Sequence, residues 1–129
     1  MSRLVVDGLA WQVRVRGAGR PLLLLHGFTG RGSGWGRHAA AFARRFRVIL
    51  VDLPGHGRSG IPVDPARASV ERTAADLATI LRRLDGAPAS VLGYSLGARI
   101  ALALAVDHPE VVRRLVLESP SAGIVEAAA

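Results

Sequence analysis

The segment Gly93-Tyr94-Ser95-Leu96-Gly97 constrains the fold of this chain more than any other part of the sequence. An apolar stretch, residues 90–92, precedes it, and a long apolar segment of helical spacing follows it. In such a strand–turn–helix the central serine takes a sharp, strained turn that holds its hydroxyl at the carboxyl edge of a sheet. Glycines on both sides leave room for that turn, because a Cβ there would meet neighbouring backbone. Ser95 is therefore the candidate nucleophile, and a serine in an ordinary glycine turn is the weaker alternative.

Apolar runs of strand length alternate with segments of helical periodicity along the rest of the chain. Strands are predicted at residues 4–6, 11–15, 21–25, 47–51, 90–92 and 112–117, and helices at 35–45, 70–84 and 96–106. Asp7-Gly8 is a predicted turn, Ser69 the N-cap of the second helix and Gly86 its end. The third helix is apolar nearly all round and should be buried on most sides. Strands separated by helices imply an α/β three-layer sandwich with a mostly parallel sheet.

Composition narrows the class of protein. With 129 residues, half of them apolar, the chain has the size of one domain and can bury a core. It has no cysteine, which excludes disulfides and thiolate metal sites. No apolar run is long enough for a transmembrane helix, and the start lacks the apolar stretch of a signal peptide. We therefore expect a cytoplasmic protein without a membrane partner, a metal or a cofactor.

The charge of the chain is strongly positive, with a formal net charge of +7. An excess of basic over acidic residues can indicate nucleic-acid binding. However, all 17 basic residues are arginine, and they are scattered over predicted helices and loops instead of forming one tract. We therefore expect no nucleic-acid partner, and a basic field that favours a small anionic substrate.

Arg99 is the only charged residue of the predicted helix 96–106. The helix dipole disfavours a cation near the N-terminus, and such a local inconsistency is typical of functional sites. Ser95 and Arg99 are four residues apart, so they share a face, and the arginine leans back toward the serine. A guanidinium there can clamp a carboxylate. The alternative is an arginine that reaches the surface or pairs with an acid.

Three histidines, His38, His56 and His108, are weaker candidates for catalysis. His56 lies in the segment DLPGHGRS, residues 52–59, whose glycines and proline shape a tight turn, so a structural role is expected before that of a general base. Asp107-His108 looks like a remnant of a triad, but a dozen helical residues separate it from Ser95 by about 18 Å. No hydrogen bond spans that distance. His38, in the first helix, is expected to face solvent.

These motifs resemble those of the α/β-hydrolase superfamily along essentially the whole chain. The nearest resemblance is to the 2-succinyl-6-hydroxy-2,4-cyclohexadiene-1-carboxylate synthases of menaquinone biosynthesis. It rests on LHGFTG at residues 25–30 with Trp35 beyond it, on GYSLGAR at 93–99 and on LESPSAGI at 117–124. The spacing of Ser95 and Arg99 is its sharpest element.

The resemblance implies a lyase that eliminates pyruvate from a cyclohexene polycarboxylate, with Ser95 as the catalytic serine. It implies an oxyanion hole made by the backbone N–H groups of Phe28 and Leu96, each donor worth about 3 kcal/mol in well-studied cases. Arg99 would hold a substrate carboxylate. His26 and Trp35 are further substrate-binding candidates, although the His26 side chain is expected to brace its loop.

The resemblance also implies where the rest of the machinery lies. In this fold the triad follows the order Ser, then Asp or Glu, then His, so the acid, the base and a helical cap are expected after residue 129. We expect residues 1–129 to be the N-terminal part of an α/β-hydrolase domain, truncated after about the sixth strand and nearly inactive alone. Two alternatives stay open: a generic carboxylesterase or C–C hydrolase of the same fold, and an inactive truncated fragment or half of a split enzyme that pairs with a complementing C-terminal half.

Overall fold

The computed structural model describes residues 2–27 and 30–119, which form a six-stranded mixed sheet with helices on both faces. The strands are β1 (Ser2–Val6), β2 (Leu9–Arg16), β3 (Arg20–Leu25), β4 (Phe46–Asp52), β5 (Ala89–Tyr94) and β6 (Val112–Glu118). The helices are α1 (Gly36–Phe42), α2 (Val70–Arg83) and α3 (Leu96–Asp107), with 3-10 turns at Gly32–Trp35, Pro65–Ala68 and Pro109–Val111. All six predicted strands are confirmed, and their ends differ from the prediction by at most two residues.

The strand order in the sheet is β1-β2-β4-β3-β5-β6. β3, β4, β5 and β6 run parallel, whereas β1 and β2 form an antiparallel hairpin, and β2 is antiparallel to β4. The hairpin turns at Asp7 and Gly8, which have φ values of 46° and 80°. Positive φ at both central residues is what a common class of two-residue hairpin turns requires. The predicted α/β sandwich with a mostly parallel sheet is therefore confirmed.

The sheet separates two apolar cores. α2 and α3 cover one face, where Leu23 and Leu25 of β3 are buried. α1 covers the opposite face, where Leu22 and Leu24 are buried. Neighbouring side chains of a strand point to opposite faces, so the run of four leucines serves both cores. Burial on both faces is what an unbroken apolar run predicts for a central parallel strand.

The helix predicted at residues 35–45 is shorter than expected. Gly36 has a φ of 48°, which separates the 3-10 turn Gly32–Trp35 from α1. At the other end, the N–H groups of Arg44 and Arg45 bond to carbonyls three residues earlier, so the chain tightens after Phe42. A Cβ on Gly17 would touch the backbone carbonyls of the segment 43–46, so the loop between β2 and β3 packs closely against the end of this helix.

The ends of α2 confirm one prediction and correct another. Ser69 is the N-cap, because its Oγ accepts the N–H of Arg72. Gly86 does not take the left-handed position that ends the helix; Asp85 does, with a φ of 52°. The N–H of Gly86 instead bonds to the carbonyl oxygen of Leu81 at 2.8 Å, which closes a Schellman motif.

The prediction that α3 is buried on most sides is correct for only part of its surface. Ala98, Ala101 and Leu104 are fully buried against the sheet and α2. Leu102 and Val106 are about half and two-thirds exposed, at 49% and 69%. One face of this apolar helix therefore has no cover within the described residues.

Candidate active site

Ser95 lies between β5 and α3 in the strained turn that the sequence predicts. Its φ of 55° and ψ of −113° fall outside the regions that residues with a Cβ prefer. The Ser95 N–H donates to the carbonyl oxygen of Glu118 at 3.0 Å, and the Ser95 carbonyl accepts from the N–H groups of Ala98 and Arg99. These bonds fix the backbone on both sides of the serine, so the unfavourable dihedral angles are held by the surrounding structure.

Close backbone contacts explain the two glycines beside Ser95. A Cβ on Gly93 would press on the Gly97 carbonyl and would lie 2.8 Å from the Cα of Ala98. A Cβ on Gly97 would press on the Leu25 carbonyl and would lie 2.7 Å from the carbonyl oxygen of His26. The first glycine lets the turn fold back on its helix, and the second lets that helix meet the end of β3.

Only one of the two predicted oxyanion-hole donors lies within the described residues. Leu96 is the first residue of α3, so its N–H has no partner inside the helix and lies beside Ser95. Phe28, the predicted second donor, lies outside the described residues. Gly27, the residue before it, is close to Ser95, because a Cβ on Gly27 would be 3.5 Å from the Cβ of Ser95.

His26 is buried and both of its ring nitrogens contact backbone groups. Nε2 accepts the N–H of Leu53 at 3.0 Å, and Nδ1 donates to the carbonyl oxygen of Gly27 at 2.7 Å. Burial lowers the pKa of His26; the bond to Gly27 acts in the opposite direction, nearby His56 lowers it further and Asp52 raises it. The neutral ring therefore ties the end of β3 to the loop after β4. This is the bracing role expected for His26, and it leaves neither nitrogen for a polar contact with a substrate.

Asp52 organises the site in a way that sequence reasoning missed. The side chain is buried, with Oδ1 accepting the N–H of Gly32 at 2.7 Å and Oδ2 accepting the N–H of Arg58 at 2.9 Å. Ser59 Oγ donates to the Asp52 carbonyl and accepts the N–H of Gln12. One carboxylate thus holds together the loops after β3 and β4. An aspartate directly after a buried strand and before a glycine-rich turn is the signal that could have found it.

The other histidines lie where their predicted minor roles place them. His56 Nδ1 is 3.0 Å from the Pro54 carbonyl oxygen, and its ring centroid is 5.1 Å from that of His26, so it packs inside the loop after β4. His108 is the C-cap of α3, at the opposite end of the helix from Ser95. His38 is exposed on α1.

Arg99 is exposed on the first turn of α3, one helical turn after Ser95. The three ion pairs among the described residues join Arg67 to Asp76, Arg72 to Asp7 and Arg82 to Glu110. Arg99 takes part in none of them. Its exposure agrees with the alternative of an arginine that reaches the surface, whereas pairing with an acid finds no support in residues 2–27 and 30–119.

A cavity of about 300 Å³ lies beside the strained turn, on the α1 side. Its lining brings together two of the predicted substrate-binding residues and the residue before Ser95. It comprises His26, Gly27, Gly30, Arg31, Gly34, Trp35, His38, Tyr94 and Glu118. Trp35 packs on the smaller core, and its Nε1 is buried without a partner among the described residues. Tyr94 is 45% exposed, and it is a lining residue that the sequence analysis did not predict. Arg99 is not part of this lining.

Metal-binding and membrane-spanning features are both absent from the part of the chain that the structure describes. No group of three or more His, Asp or Glu side chains in residues 2–27 and 30–119 is placed to hold a metal ion. None of the helices described has the length and apolar character needed to cross a bilayer.

The comparison with known proteins agrees with this geometry. A family model for the alpha/beta hydrolase fold matches residues 20–128. The chain belongs to the α/β hydrolase fold family. The match spans β3 to β6 and thus includes the strained serine turn and both loops that meet it.

Several relatives share this part of the fold. The chain is 36% identical over 122 residues to a Bacillus subtilis (strain 168) protein named "Putative 2-succinyl-6-hydroxy-2,4-cyclohexadiene-1-carboxylate synthase", covering 93% of this chain and 44% of that protein. It is 37% identical to the pimeloyl-[acyl-carrier protein] methyl ester esterase of Vibrio cholerae, covering 88% of this chain and 41% of the esterase. A crystal structure of the N-acyl homoserine lactonase AidH, 33% identical, has a TM-score of 0.83 and is matched over 90% of this chain and 43% of its own. The chain thus spans less than half the length of these relatives.

Proposed function

We propose that this chain carries the nucleophile of a serine enzyme of the α/β hydrolase fold, with Ser95 as the reacting group. The observation that carries the proposal is the strained turn of Ser95, with a φ of 55° between a parallel strand and a helix. Strain of this kind persists only where the surroundings enforce it, and it is concentrated at functional sites. A serine with only a structural role gains nothing from such a conformation.

Each part of the chain would contribute one element of the chemistry. The α3 N-terminus and the Leu96 N–H would stabilise negative charge that develops on a substrate oxygen beside Ser95. Phe28 would supply the second donor, as the family resemblance implies. The acid and the base of the triad are proposed to follow residue 129, either in a longer chain or in a complementing C-terminal half. Without them Ser95 would be a weak nucleophile.

For the reaction itself, we propose the elimination of pyruvate from a cyclohexene polycarboxylate, with Arg99 holding a substrate carboxylate. Two observations support this choice. Arg99 is an exposed guanidinium without an ion pair among the described residues, one turn beyond Ser95. The Bacillus subtilis relative bears the name of a synthase of this type. In the reaction a base would remove a C–H proton, the electron pair would form a C=C bond, and the C–O bond to an enol-linked pyruvate would break. The released enolpyruvate would then take up a proton on carbon to become pyruvate.

Ester hydrolysis is the second candidate function. The esterase of Vibrio cholerae and the lactonase AidH are similar to this chain to almost the same degree as the synthase. In this alternative Ser95 would attack an acyl carbon, and a substrate without a carboxylate would make no use of Arg99. The two candidates therefore differ in what they require from that arginine.

A chimera separates the candidates. The matched segment of this chain would replace the corresponding segment of the Bacillus subtilis relative, which would supply the later part of the fold. We expect the chimera to release pyruvate from the cyclohexene polycarboxylate, to hydrolyse p-nitrophenyl butyrate poorly, and to lose pyruvate release in the Ser95→Ala variant. Efficient ester hydrolysis without pyruvate release would establish the second candidate. Circular dichroism and a fluorophosphonate probe, which should label Ser95 in the chimera and hardly react with the 129-residue chain, would verify a formed site.

Arg99→Lys in the same chimera tests the carboxylate clamp. Lysine keeps the charge but loses the planar fork of donors, so kcat/KM for pyruvate release should fall about 30-fold, equivalent to about 2 kcal/mol. Hydrolysis of p-nitrophenyl butyrate should not change. Arg113→Lys, on the exposed part of β6, is the matched control and should leave both activities unaltered. An Arg99→Lys chimera that releases pyruvate at the original rate would contradict the role of Arg99.

A further inference from the structure

A second cavity, of about 220 Å³, lies on the α1 side of the sheet near the carboxyl end of β4. It is formed by β2, β4 and the loops that follow β3 and β4, and its lining comprises Gln12, Arg14, Arg31, Gly32, Ser33, Leu50, Asp52 and Arg58. Arg31 is the one residue that it shares with the cavity beside Ser95. The remaining lining residues are distinct, so this space is a separate site.

Three arginines line this cavity from three different elements. Arg14 comes from β2, Arg31 from the loop after β3, and Arg58 from the loop after β4. None of them belongs to an ion pair among the described residues. Asp52 is the single acidic residue of the lining, and its two carboxylate oxygens already accept the N–H groups of Gly32 and Arg58. Three guanidinium groups and one carboxylate leave the lining with a net positive charge.

Gln12 gives a second, independent indication of a ligand. The residue is only 8% exposed, and its side-chain Nε2 is buried without a hydrogen-bond partner in residues 2–27 and 30–119. The backbone N–H of Gln12 is bonded to Ser59 Oγ, whereas the side-chain Nε2 has no such acceptor among the described residues. Buried polar groups without a partner are rare, and each one needs an explanation such as a bound ion. An acceptor atom inside the cavity would satisfy this amide.

We propose that this cavity binds a tetrahedral oxyanion of the phosphate type. Guanidinium groups are well suited to phosphate oxygens, with which they form charge-assisted, often paired hydrogen bonds. Arginines contributed by three elements, with Gln12 in the same lining, can surround an acceptor whose oxygens point in four directions, whereas the oxygens of a carboxylate lie in one plane. The volume lies below the range typical of drug-sized ligands and therefore suits a small group. The proposal does not depend on the reaction at Ser95.

The test is a titration of the 129-residue chain with inorganic phosphate, in buffers whose ionic strength is held constant with sodium chloride. Isothermal titration calorimetry should show one site. Arg14→Gln and Arg58→Gln should each weaken phosphate binding about tenfold or more, because each removes a charged donor. Arg16→Gln is the matched control, since Arg16 lies on the same strand, is exposed and is outside the lining. It should change the affinity less than about twofold, the scale of a screened surface charge.

Gln12→Leu provides a readout that a general effect of charge would not produce. The variant should lose phosphate affinity, yet in phosphate-free buffer its melting temperature should be unchanged or higher, because an unpaired buried amide has been removed. An equal loss of affinity in Arg16→Gln, or no binding beyond that of chloride, would overturn the proposal. Acetate that binds as tightly as phosphate would overturn the assignment to a tetrahedral ion. If Gln12→Leu does not fold, the affinities of the arginine variants still test whether this cavity binds phosphate.

Discussion

The loops after β5 and β4 both follow buried parallel strands and both contain glycine, yet different forces hold them in place. The turn after β5 is fixed by backbone packing: Gly93 and Gly97 lie against carbonyls of the turn and of the end of β3. The loop after β4 is fixed by polar side chains, chiefly Asp52 and His26, which bond to backbone N–H groups. The first should therefore be sensitive to added volume, and the second to lost acceptors and to pH.

The largest expected effect is that of Gly97→Ala. The added Cβ would press on carbonyl groups at the end of β3, which cannot move without disrupting the centre of the sheet. We expect the free energy of unfolding to fall by about 3 kcal/mol or more, measured by urea denaturation. Gly34→Ala is the matched control, because a Cβ at Gly34 has no atom within 4 Å. Equal stability of the two variants would show that the serine turn can relax and that packing does not fix it.

Asp52→Asn should have the next largest effect. It replaces one carboxylate oxygen by an NH₂ group that faces an N–H donor, so one buried bond is lost and the other loses its charge. We expect a loss of about 2–3 kcal/mol in the free energy of unfolding. Asp64→Asn is the control: the exposed Asp64 accepts a single N–H from Ala66, and asparagine caps a helix equally well. If both variants were equally stable, the carboxylate would not be what holds the loop after β4.

A smaller effect is expected from protonation of His26. Burial lowers the pKa of His26 in the folded chain, so the unfolded chain takes up this proton at higher pH than the folded chain does. The stabilisation by the neutral ring is therefore complete above the unfolded pKa of about 6.5 and is lost as the pH falls toward the folded value. His26→Gln keeps an acceptor for the Leu53 N–H without titrating, so its stability should decline less between pH 7 and acidic pH.

The control for this pH series is His38→Gln, which removes an exposed histidine. The stability of that variant should follow the same pH dependence as the unaltered chain. If His26→Gln showed the same dependence as well, protonation of the His26 ring would not weaken the contact between the loops. The expected pH sensitivity of the loop after β4 would then be wrong.

The two loops also differ in how far the sequence predicts them. The serine turn was predicted with its strain, its glycines and its flanking elements, because the motif that encodes it lies within residues 93–97. The backbone groups that it contacts at Leu25 and Glu118 are distant in sequence and were not predicted. For the loop after β4, the sequence predicted a tight turn shaped by glycines and proline. The role of Asp52 was missed because its partners, Gly32 and Arg58, are 20 and 6 residues away and are brought together only by the parallel pairing of β3 with β4.

The sequence by itself determined the class of fold, the order of strands and helices and the identity of the strained serine, because periodicity and glycine spacing act over short stretches of chain. Three features were decided only by the tertiary structure. Asp85 instead of Gly86 takes the left-handed position after α2, and both ring nitrogens of His26 contact backbone groups. Arg14, Arg31 and Arg58 line one cavity. The last two of these features depend on residues far apart in sequence that meet where strands pair and loops converge. Their burial and their remaining hydrogen-bonding capacity are fixed only by that meeting.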